Sequence, residues 1–499
     1  MRINWNEPRF DQDDLKEVSE VIQNSYVNEG PKTKEFEEKL REYLGVKHVI
    51  CTVNATAALF LAIKADALIK GVTDFEVIVP DMTMIATATA VEWAGGKAIP
   101  VEVLKDRMTI DLNKIKEKIT NKTTAIIPVH ILGRAVDMNA LKDIAKESNL
   151  TIIEDAAGVL GSKYLGKYLG TLGKVGCFSL QSNKIVTCGQ GGIIVTNNDE
   201  YYDTIRRLRD FGRLNNKEFL HKEIGYNLKF NDLSAALALS QFKKIEQKQQ
   251  TLLFQLNKYK ELLAEVNQIK FPEIKISEGE IPLWVDVFVE NREELIKHLE
   301  ARDIHPRPCW PSIHKNPPYA SSGSDQDFPN SSFISENVLW LPNGFAITEN
   351  DIIFICEEIK EFYNKPKKEM ELKKIHTDVR GSINLMQDLL EDNKEFTFME
   401  INKGFSRGGC YHSNKENFVV IKGKVRYVYG PINGPYNDKI LCAGESGLIE
   451  PKLAHAFIAL EDSIVSEWGI NTSEKEADVK DSVLRKVVDE YNSGERTVN

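Results

Sequence analysis

Hydrophobic and polar positions follow two distinct patterns over the first 240 residues. Segments 15–22 and 36–44 place apolar residues three and four positions apart, which predicts surface helices. Runs that are apolar on both faces are typical of strands buried inside a parallel sheet. Such runs, rich in β-branched residues, occur at 48–52, 76–80, 124–129 and 150–154. The alternation predicts an α/β domain in which helices cover a parallel sheet.

The pattern changes twice further along the chain. Residues 232–268 are helical in pattern, 283–289 alternate like a strand, and 292–300 return to helical spacing, which predicts a smaller α+β domain. A charge-rich stretch around the helix-breaking Pro366 predicts a boundary. Beyond it, short strands predict an all-β region, with Gly423 supplying the positive φ of a hairpin. The predicted domains are 1–240 (large α/β), 241–365 (small α+β) and 366–499 (all-β).

Composition narrows the functional class. The 499 residues include 64 Lys and Arg against 74 Asp and Glu, a net charge of −10, which disfavours a general nucleic-acid binder. The N-terminus lacks a signal pattern, and no apolar run has the length of a membrane span. The seven cysteines are scattered and contain no C-x-x-C motif. These features predict a soluble cytoplasmic protein without a membrane or nucleic-acid partner.

Two charged side chains stand out because of their setting. Asp155 ends an apolar run, at the edge where open α/β sheets present groups to ligands, although an isolated aspartate there is more often a helix N-cap. Lys184 lies between two glycine-marked turns, within 173–196. A lysine held away from water loses its proton easily and becomes a nucleophile, whereas an isolated lysine is usually a solvated charge.

Pyridoxal phosphate requires three groups that this region contains. The cofactor forms a Schiff base with a lysine, pairs its pyridine nitrogen with an anion, and needs donors for its phosphate. Lys184, Asp155 and Ser179 can supply all three. A second set of phosphate donors lies in the small-residue turn at 52–59, where a helix N-terminus would favour an anion. Taken alone, that turn is better explained as a capped helix with Asn54 as an ordinary N-cap, and only its combination with Lys184 favours a phosphate site.

Several co-occurring motifs resemble the DegT/DnrJ/StrS sugar aminotransferases, which are pyridoxal-phosphate enzymes of fold-type I. The resemblance covers residues 1 to about 365 and implies a large α/β domain followed by a small α+β domain. Its Gly161-Ser162 and Gly170-Thr171 details are most similar to the branch that makes perosamine-type 4-amino sugars. The main motifs are Asn28-Glu29-Gly30-Pro31, Asn54-Ala55-Thr56, Glu154-Asp155-Ala156-Ala157, Asn183-Lys184, Gly189 to Gly192 and Gly225-Tyr226-Asn227.

The resemblance implies a role for each matching residue. Lys184 would be the Schiff-base lysine and Asp155 the partner of the pyridine nitrogen, so these two are the predicted catalytic residues. Ala55, Thr56 and Ser179 would hold the phosphate. The family's active site lies at a dimer interface, so a homodimer is implied, with Asn227 reaching the phosphate of the neighbouring subunit. The predicted cofactor-binding residues are Ala55, Thr56, Met84, Asp155, Ser179, Lys184 and Asn227.

Two positions depart from the family pattern. Gly158 stands where the family usually has Gln or Glu, so a side-chain contact to the cofactor is missing. Met84 follows Thr83, where an aromatic ring commonly stacks on the cofactor, and thioether packing could replace that stacking. Both changes indicate a shifted substrate or reaction specificity. Lys184 is retained, which argues against the family's dehydratase variants.

The predicted activity is transfer of an amino group to a nucleotide-linked keto-sugar, with glutamate as the donor implied by the resemblance. Lys184 would move protons between the donor carbon and the cofactor carbon. Two other functions stay open: a binding or sensor protein that keeps the cofactor without turnover, and a fold-type I enzyme acting on amino acids alone. A basic stretch could bind a diphosphate, although runs of charged residues are usually solvated helix faces. This stretch comprises Arg206, Arg207, Arg209 and Arg213.

The last domain carries a second set of motifs. Cys410, His412, Glu416 and Gly423, followed later by His455, resemble the two motifs of the cupin fold over residues 370 to about 490, which predicts a β-barrel. Segments 378–381, 407–408 and 455–457 are more narrowly similar to nucleotide-sugar epimerases and ketoisomerases of that fold. A sugar-binding or sugar-isomerising module would suit fusion to an aminotransferase.

Three interpretations of this domain stay open. An isomerase is one, although Cys410 replaces the histidine expected to act as base. A metal site is the second, because four side chains form a set that would suit zinc. These predicted ligands are Cys410, His412, Glu416 and His455. The third is a barrel that only binds or assembles.

Overall fold

A computed structural model describes residues 2–214, 220–364, 373–378, 380–387, 395–411, 415–469 and 479–493. The chain divides into two compact units, residues 1–365 and 366–499. The larger unit contains a cavity of about 360 Å³, and the smaller unit is built mainly from strands.

A seven-stranded sheet forms the centre of the larger unit. The four strands predicted from apolar runs all belong to it, and their burial explains why those runs are apolar on both faces. Gly192–Thr196 runs antiparallel to both of its neighbours, so the sheet is mixed, whereas the sequence predicted a parallel one. The strand order is His48–Thr52, Gly192–Thr196, Val175–Ser179, Thr151–Asp155, Thr123–Ile126, Glu76–Pro80 and Lys97–Val101.

Helices cover both faces of this sheet. Ala55–Lys70 is apolar on all sides, and ten of its 16 residues are buried, so it lies inside the core. The Asn54 side chain caps its first turn, and Gly71 ends it with a left-handed φ of 67°. The other helices of this part of the chain are Gln12–Gln23, Pro31–Leu44, Ala86–Ala94, Leu112–Ile115, Met138–Glu147, Asp199–Arg209 and Asp232–Phe242.

A smaller α+β region completes the unit. Its antiparallel sheet has the order Ile269–Lys270, Val285–Val289, Val338–Leu341 and Arg307–Pro308. The segment 232–268, predicted to be helical throughout, contains two helices and ends before a short strand. Ile3–Asn4 pairs in parallel with Ile304–His305, which attaches the N-terminus to this region. The helices here are Ile245–Leu262, Arg292–Glu300, Pro329–Asn337 and Glu349–Asn364, and a hairpin in the larger region joins Lys163–Tyr164 to Lys167–Tyr168.

The C-terminal unit has two antiparallel sheets that enclose a shared apolar core containing Phe418, Tyr427 and Phe457. The six-stranded sheet has the order Lys373–Asp378, Gly381–Gln387, Glu395–Ile401, Ser463–Gly469, Glu416–Lys422 and Ser446–Ile449. The five-stranded sheet has the order Asn437–Cys442, Lys424–Pro431, Leu453–Ala459, Ser406–Tyr411 and Val479–Lys480. Among the described strands neither sheet closes on itself, so a cupin barrel is not confirmed.

Two details correct the expectations for this unit. Gly423 has the predicted positive φ, 81°, but the strands on either side of it belong to different sheets, so the turn is a crossing and not a hairpin. A side chain at 423 would meet Ser463, which is why glycine suits the site. Ser482–Ser493 is a helix, so the unit is not all-β; Leu484 and Val488 are its buried apolar positions.

Candidate active site

One cavity of about 360 Å³ opens at the carboxyl ends of the central strands Thr151–Asp155 and Val175–Ser179. This is the edge at which α/β sheets bind ligands. Six of the predicted cofactor-binding residues line it: Ala55, Thr56, Met84, Asp155, Ser179 and Lys184. The fold therefore brings together side chains that are far apart in the sequence.

Lys184 lies on the loop that follows the strand Val175–Ser179, and the backbone on both sides of it is anchored. The indole N–H of Trp284 donates to the carbonyl of Asn183 at 3.3 Å. The buried ammonium of Lys248 donates to the carbonyl of Ile185 at 3.0 Å. These bonds fix the loop, so the Lys184 amine is held in the cavity, 5.2 Å from the centre of the Trp284 ring.

The environment of Lys184 favours a neutral amine. Burial lowers the pKa of Lys184 to about 8, and the charge of Asp155 only partly opposes this shift. A lysine with such a pKa is unprotonated much more often at neutral pH than an ordinary lysine. The amine is therefore prepared for nucleophilic attack on a carbonyl and for proton transfer.

Asp155 is the last residue of its strand and is buried. Its carboxylate accepts a hydrogen bond from the Thr87 hydroxyl at 2.8 Å and one from the Ala157 backbone N–H at 3.1 Å. Burial raises the pKa of Asp155, and these two hydrogen bonds oppose the increase. The carboxylate is therefore held in one orientation, ready to pair with a cationic group in the cavity.

Thr87 was not identified from the sequence. It lies in the first turn of the helix Ala86–Ala94, with its hydroxyl 3.3 Å from that of Thr83, and it is fully buried. Nothing in the sequence around Thr87 indicates a contact with Asp155, because the helix that carries Thr87 and the strand that ends at Asp155 meet only in the folded domain. Thr87 positions the aspartate through its hydroxyl.

The start of the helix Ala55–Lys70 presents backbone N–H groups at the cavity. The Asn54 side chain accepts from the Ala57 N–H at 2.8 Å, while the N–H groups of Ala55 and Thr56 lie in the first turn, which lacks helical acceptors. Gly192 makes room for this turn, since a Cβ there would lie 2.3 Å from the Asn54 carbonyl. With the Ser179 hydroxyl nearby in the same cavity, the surface suits a phosphate.

The two positions that depart from the family pattern also line the cavity. Met84 is exposed, and its sulfur accepts the Ala86 N–H at 3.0 Å. Gly158 contributes no side chain, and a Cβ there would lie 3.3 Å from Leu283. Neither position supplies a polar side chain or an aromatic ring to this part of the cavity.

The opposite wall of the cavity was missed by the sequence analysis altogether. It consists of four of the chain's six tryptophans together with one arginine: Trp5, Trp284, Trp310, Trp340 and Arg307. These residues come from the N-terminus and from the small α+β region, and no local motif connects them. Their assembly depends on the pairing of Ile3–Asn4 with Ile304–His305.

Asn227 does not line this cavity. It is exposed, and its backbone bridges to Asp210. Its predicted contact with a neighbouring subunit stays a prediction. The nearby arginine stretch is engaged with acidic residues: Arg206 and Arg209 with Glu29, Arg207 with Glu223, and Arg213 with Asp210. These pairs favour a structural role for the stretch.

The predicted metal ligands of the C-terminal unit do not form a metal site in the described part of the chain. His412 lies outside the described residues. Cys410 and His455 are cross-strand neighbours, and His455 pairs with Glu467 at 3.2 Å. Among the described residues, one group has side chains close enough together to bind a metal ion: His298, Glu358 and Glu361, in the larger unit. Arg302 already forms ion pairs with both glutamates of this group. Zinc is therefore not supported.

The larger unit matches known aminotransferases in both sequence and fold. The profile of the DegT/DnrJ/EryC1/StrS aminotransferases matches residues 8–360. The crystal structure of DesV from S. venezuelae in complex with a ketimine intermediate covers 73% of this chain and 100% of DesV, with a TM-score of 0.68 and 27% identity. The fold is that of a pyridoxal-phosphate aminotransferase of fold-type I. The chain belongs to the DegT/DnrJ/EryC1/StrS aminotransferase family.

Curated relatives support the same assignment. The GDP-perosamine synthase of Caulobacter vibrioides is 34% identical over 361 residues, which cover 70% of this chain and 95% of the relative. That of Vibrio cholerae is 30% identical over 371 residues, covering 72% and 98%. The predicted family is thus confirmed. The family match ends at residue 360 and does not confirm the resemblance of the last domain to cupins.

No helix in the described ranges combines the length and the apolar character needed to cross a membrane.

Proposed function

We propose that the larger unit transfers an amino group from glutamate to a nucleotide-linked keto-sugar, using pyridoxal phosphate. The observation that carries this proposal is the single cavity in which the amine of Lys184, the buried carboxylate of Asp155 and the helix start at Ala55 occur together. Relatives named GDP-perosamine synthases support a nucleotide-sugar acceptor. The matched region spans almost the whole length of those relatives.

The residues of the cavity fit this cofactor. When bound, pyridoxal phosphate supplies an electron sink that lets a proton and the amino group leave the donor carbon. The first turn at Ala55 and Thr56, with Ser179, would bind the phosphate. Asp155, oriented by Thr87, would pair with the protonated pyridine nitrogen. Lys184 would hold the cofactor covalently, and its free amine would then take a proton from one carbon and return it to another.

Two measurements on the purified protein test this function. Borohydride reduction followed by peptide mapping should place the cofactor on Lys184. In a separate, unreduced sample, adding glutamate should change the visible spectrum and produce 2-oxoglutarate, and a panel of nucleotide keto-sugars should reverse the change. Reversal only by 2-oxo acids would indicate an enzyme of amino acids alone, and an unchanged spectrum with every amino donor would indicate a non-catalytic binding protein.

The lowered pKa of Lys184 predicts a distinctive pH dependence for cofactor capture. Because the neutral amine is the nucleophile, the rate at which the apoenzyme captures pyridoxal phosphate should rise with pH and level off just above the pKa of about 8. An ordinary lysine, with a pKa of about 10.4, would show a rate still rising at about pH 10. Stopped-flow absorbance measures this rate, with Lys184→Arg as the blank. A rate that does not level off would contradict the desolvated setting of the amine.

We also propose a homodimer in which Asn227 completes the partner's site. The segment around Asn227 exposes several large apolar side chains, of which Ile224 is 88% exposed. Large apolar side chains that are exposed close together in the sequence favour an interface. The others are Phe211, Leu214 and Leu220. Light scattering should give twice the chain mass, and mixing inactive Lys184→Ala with Asn227→Ala should restore activity; a monomer, or no complementation, would contradict the shared site.

For the C-terminal unit we infer a sugar-handling domain of the cupin type. His455 and Glu467 lie on strands of different sheets, and their side chains pair between the two sheets. The buried hydroxyl of Tyr427 has no hydrogen-bond partner among the described residues. A buried histidine oriented by a carboxylate is a suitable general base. This arrangement favours the isomerising function over a purely structural role.

Proton exchange tests the isomerase directly. Full-length Lys184→Ala, which cannot transaminate, should exchange the hydrogen next to the ketone of a nucleotide keto-sugar in deuterated water, and adding His455→Ala should abolish the exchange. Absence of exchange, with sugar binding retained, would identify a binding module.

A further inference from the structure

The aromatic wall of the cavity is a continuous cluster. Trp284 contacts Trp5, Trp310 and Trp340, with ring centres 4.7, 5.6 and 4.6 Å apart. Trp5 also stacks on Trp340 at 5.5 Å. Arg307 lies opposite Trp340 in the antiparallel sheet, which brings its guanidinium over the Trp5 ring at 5.2 Å. The wall is therefore preorganised, since each ring is held by its neighbours.

Three polar atoms of this region are left without partners. The indole nitrogens of Trp5 and Trp340 are buried donors, and the amide oxygen of Asn183 is a buried acceptor. None of the three has a hydrogen-bond partner among the described residues. All three residues line the cavity. A buried polar atom without a partner is destabilising, so several in one cavity indicate a ligand that carries hydroxyl or carbonyl groups.

Arg307 adds a positive charge to the aromatic wall of the cavity. It is exposed, and no carboxylate of the described residues pairs with it. The Lys184 amine lies 5.2 Å from the centre of the Trp284 ring, and the Arg307 guanidinium lies 5.2 Å from that of Trp5. The two basic groups are therefore next to different rings of the same aromatic wall.

We propose that Trp5, Trp310 and Arg307 form the acceptor subsite, in which the sugar ring packs on the indoles and Arg307 pairs with the diphosphate. Apolar C–H faces of a sugar suit aromatic rings, the free indole N–H groups suit its hydroxyls, and a guanidinium binds phosphate oxygens in pairs. The inference rests on the proposed nucleotide-sugar acceptor.

Separate half-reactions test the subsite. Calorimetry with GDP, UDP and dTDP measures diphosphate binding, and the spectral change with glutamate measures the donor half-reaction. Arg307→Gln should weaken the best diphosphate at least about tenfold, the usual effect of losing a charge-assisted contact, and leave the donor half-reaction within about twofold. Trp5→Phe keeps the ring but loses the N–H, so it should raise the acceptor KM without changing diphosphate affinity.

Lys105→Gln is the matched control, since the Lys105 ammonium also lies over a ring, that of Phe333 at 3.5 Å, but not in this cavity. It should change neither measurement. The subsite is wrong if no diphosphate binds to the wild-type protein, or if Arg307→Gln binds the diphosphate as tightly as the wild type. It is also wrong if Arg307→Gln slows only the donor half-reaction, because that result would assign Arg307 to a donor carboxylate. Failure of the wild type to react with glutamate, with diphosphate binding intact, would refute the proposed donor and not the subsite.

Discussion

Replacing Lys184 with alanine is expected to lower transamination at least about a thousandfold. The variant loses the nucleophile and the proton carrier together, and a positioned acid or base alone contributes about 10² to 10⁴ in rate. Lys184 is the one lysine among the residues that line the cavity, so no neighbour can replace it. The measurement is kcat with glutamate and a keto-sugar, together with the visible spectrum of the bound cofactor.

Two variants define what this loss means. Lys184→Arg keeps the positive charge but cannot bind the cofactor covalently, so it should be as inactive as alanine. Lys146→Ala removes an exposed lysine outside the cavity and should stay near the wild-type rate. In Lys184→Ala the phosphate surface at Ala55 and Thr56 should still retain the cofactor through dialysis. Activity within tenfold of the wild type would exclude Lys184 as the central residue.

Asp155→Asn should lower kcat by about a hundred- to a thousandfold, the usual cost of losing one preorganised electrostatic partner. Asparagine preserves shape and can still accept the Thr87 hydrogen bond, so the fold should survive and the change isolates the charge. Without the anion the pyridine nitrogen is no longer kept protonated, and electrons are withdrawn less strongly from the donor carbon. We therefore expect a large decrease in kcat and only a small change in KM.

Thr87 provides the graded comparison. Thr87→Val removes the hydroxyl that orients Asp155 and should reduce kcat by about tenfold, whereas Thr87→Ser should restore most of it, because the bond to Asp155 remains possible. The pH profile should move only in the valine variant. A contrary outcome is that Asp155→Asn loses the cofactor, while the fraction of enzyme that still holds it reacts at the normal rate. Asp155 would then serve only to bind the cofactor, and the electronic role proposed for it would be wrong.

The sequence was most informative where function depends on a short segment. The turn at Asn54, the strand end at Asp155 and the loop of Lys184 each contain their own conformational signals: an N-cap, a buried apolar run and flanking glycines. Such signals act over a few residues and can be read in order. This is why the fold class and the family of the larger unit were predicted correctly.

Elements defined by partners elsewhere in the chain were less predictable. The strand Gly192–Thr196 has the composition of a buried strand, but its antiparallel direction depends on the path of the preceding loop. Gly423 was correctly expected to have a positive φ, yet the φ of one residue does not determine which strands pair. The helix Ser482–Ser493 is short and polar on one side, and its buried residues pack on strands far earlier in the sequence.

The sequence by itself determined the chemistry that one wall of the cavity offers, because a lysine, an aspartate and a helix start are each specified by their immediate neighbours. Only the tertiary structure decided what faces them. Trp5 and Arg307 meet because a two-residue strand at the N-terminus pairs with Ile304–His305. Thr87 reaches Asp155 because the helix Ala86–Ala94 starts beside the carboxyl end of the strand Thr151–Asp155. Contacts of this kind depend on chain closure over long distances, which local propensity does not encode.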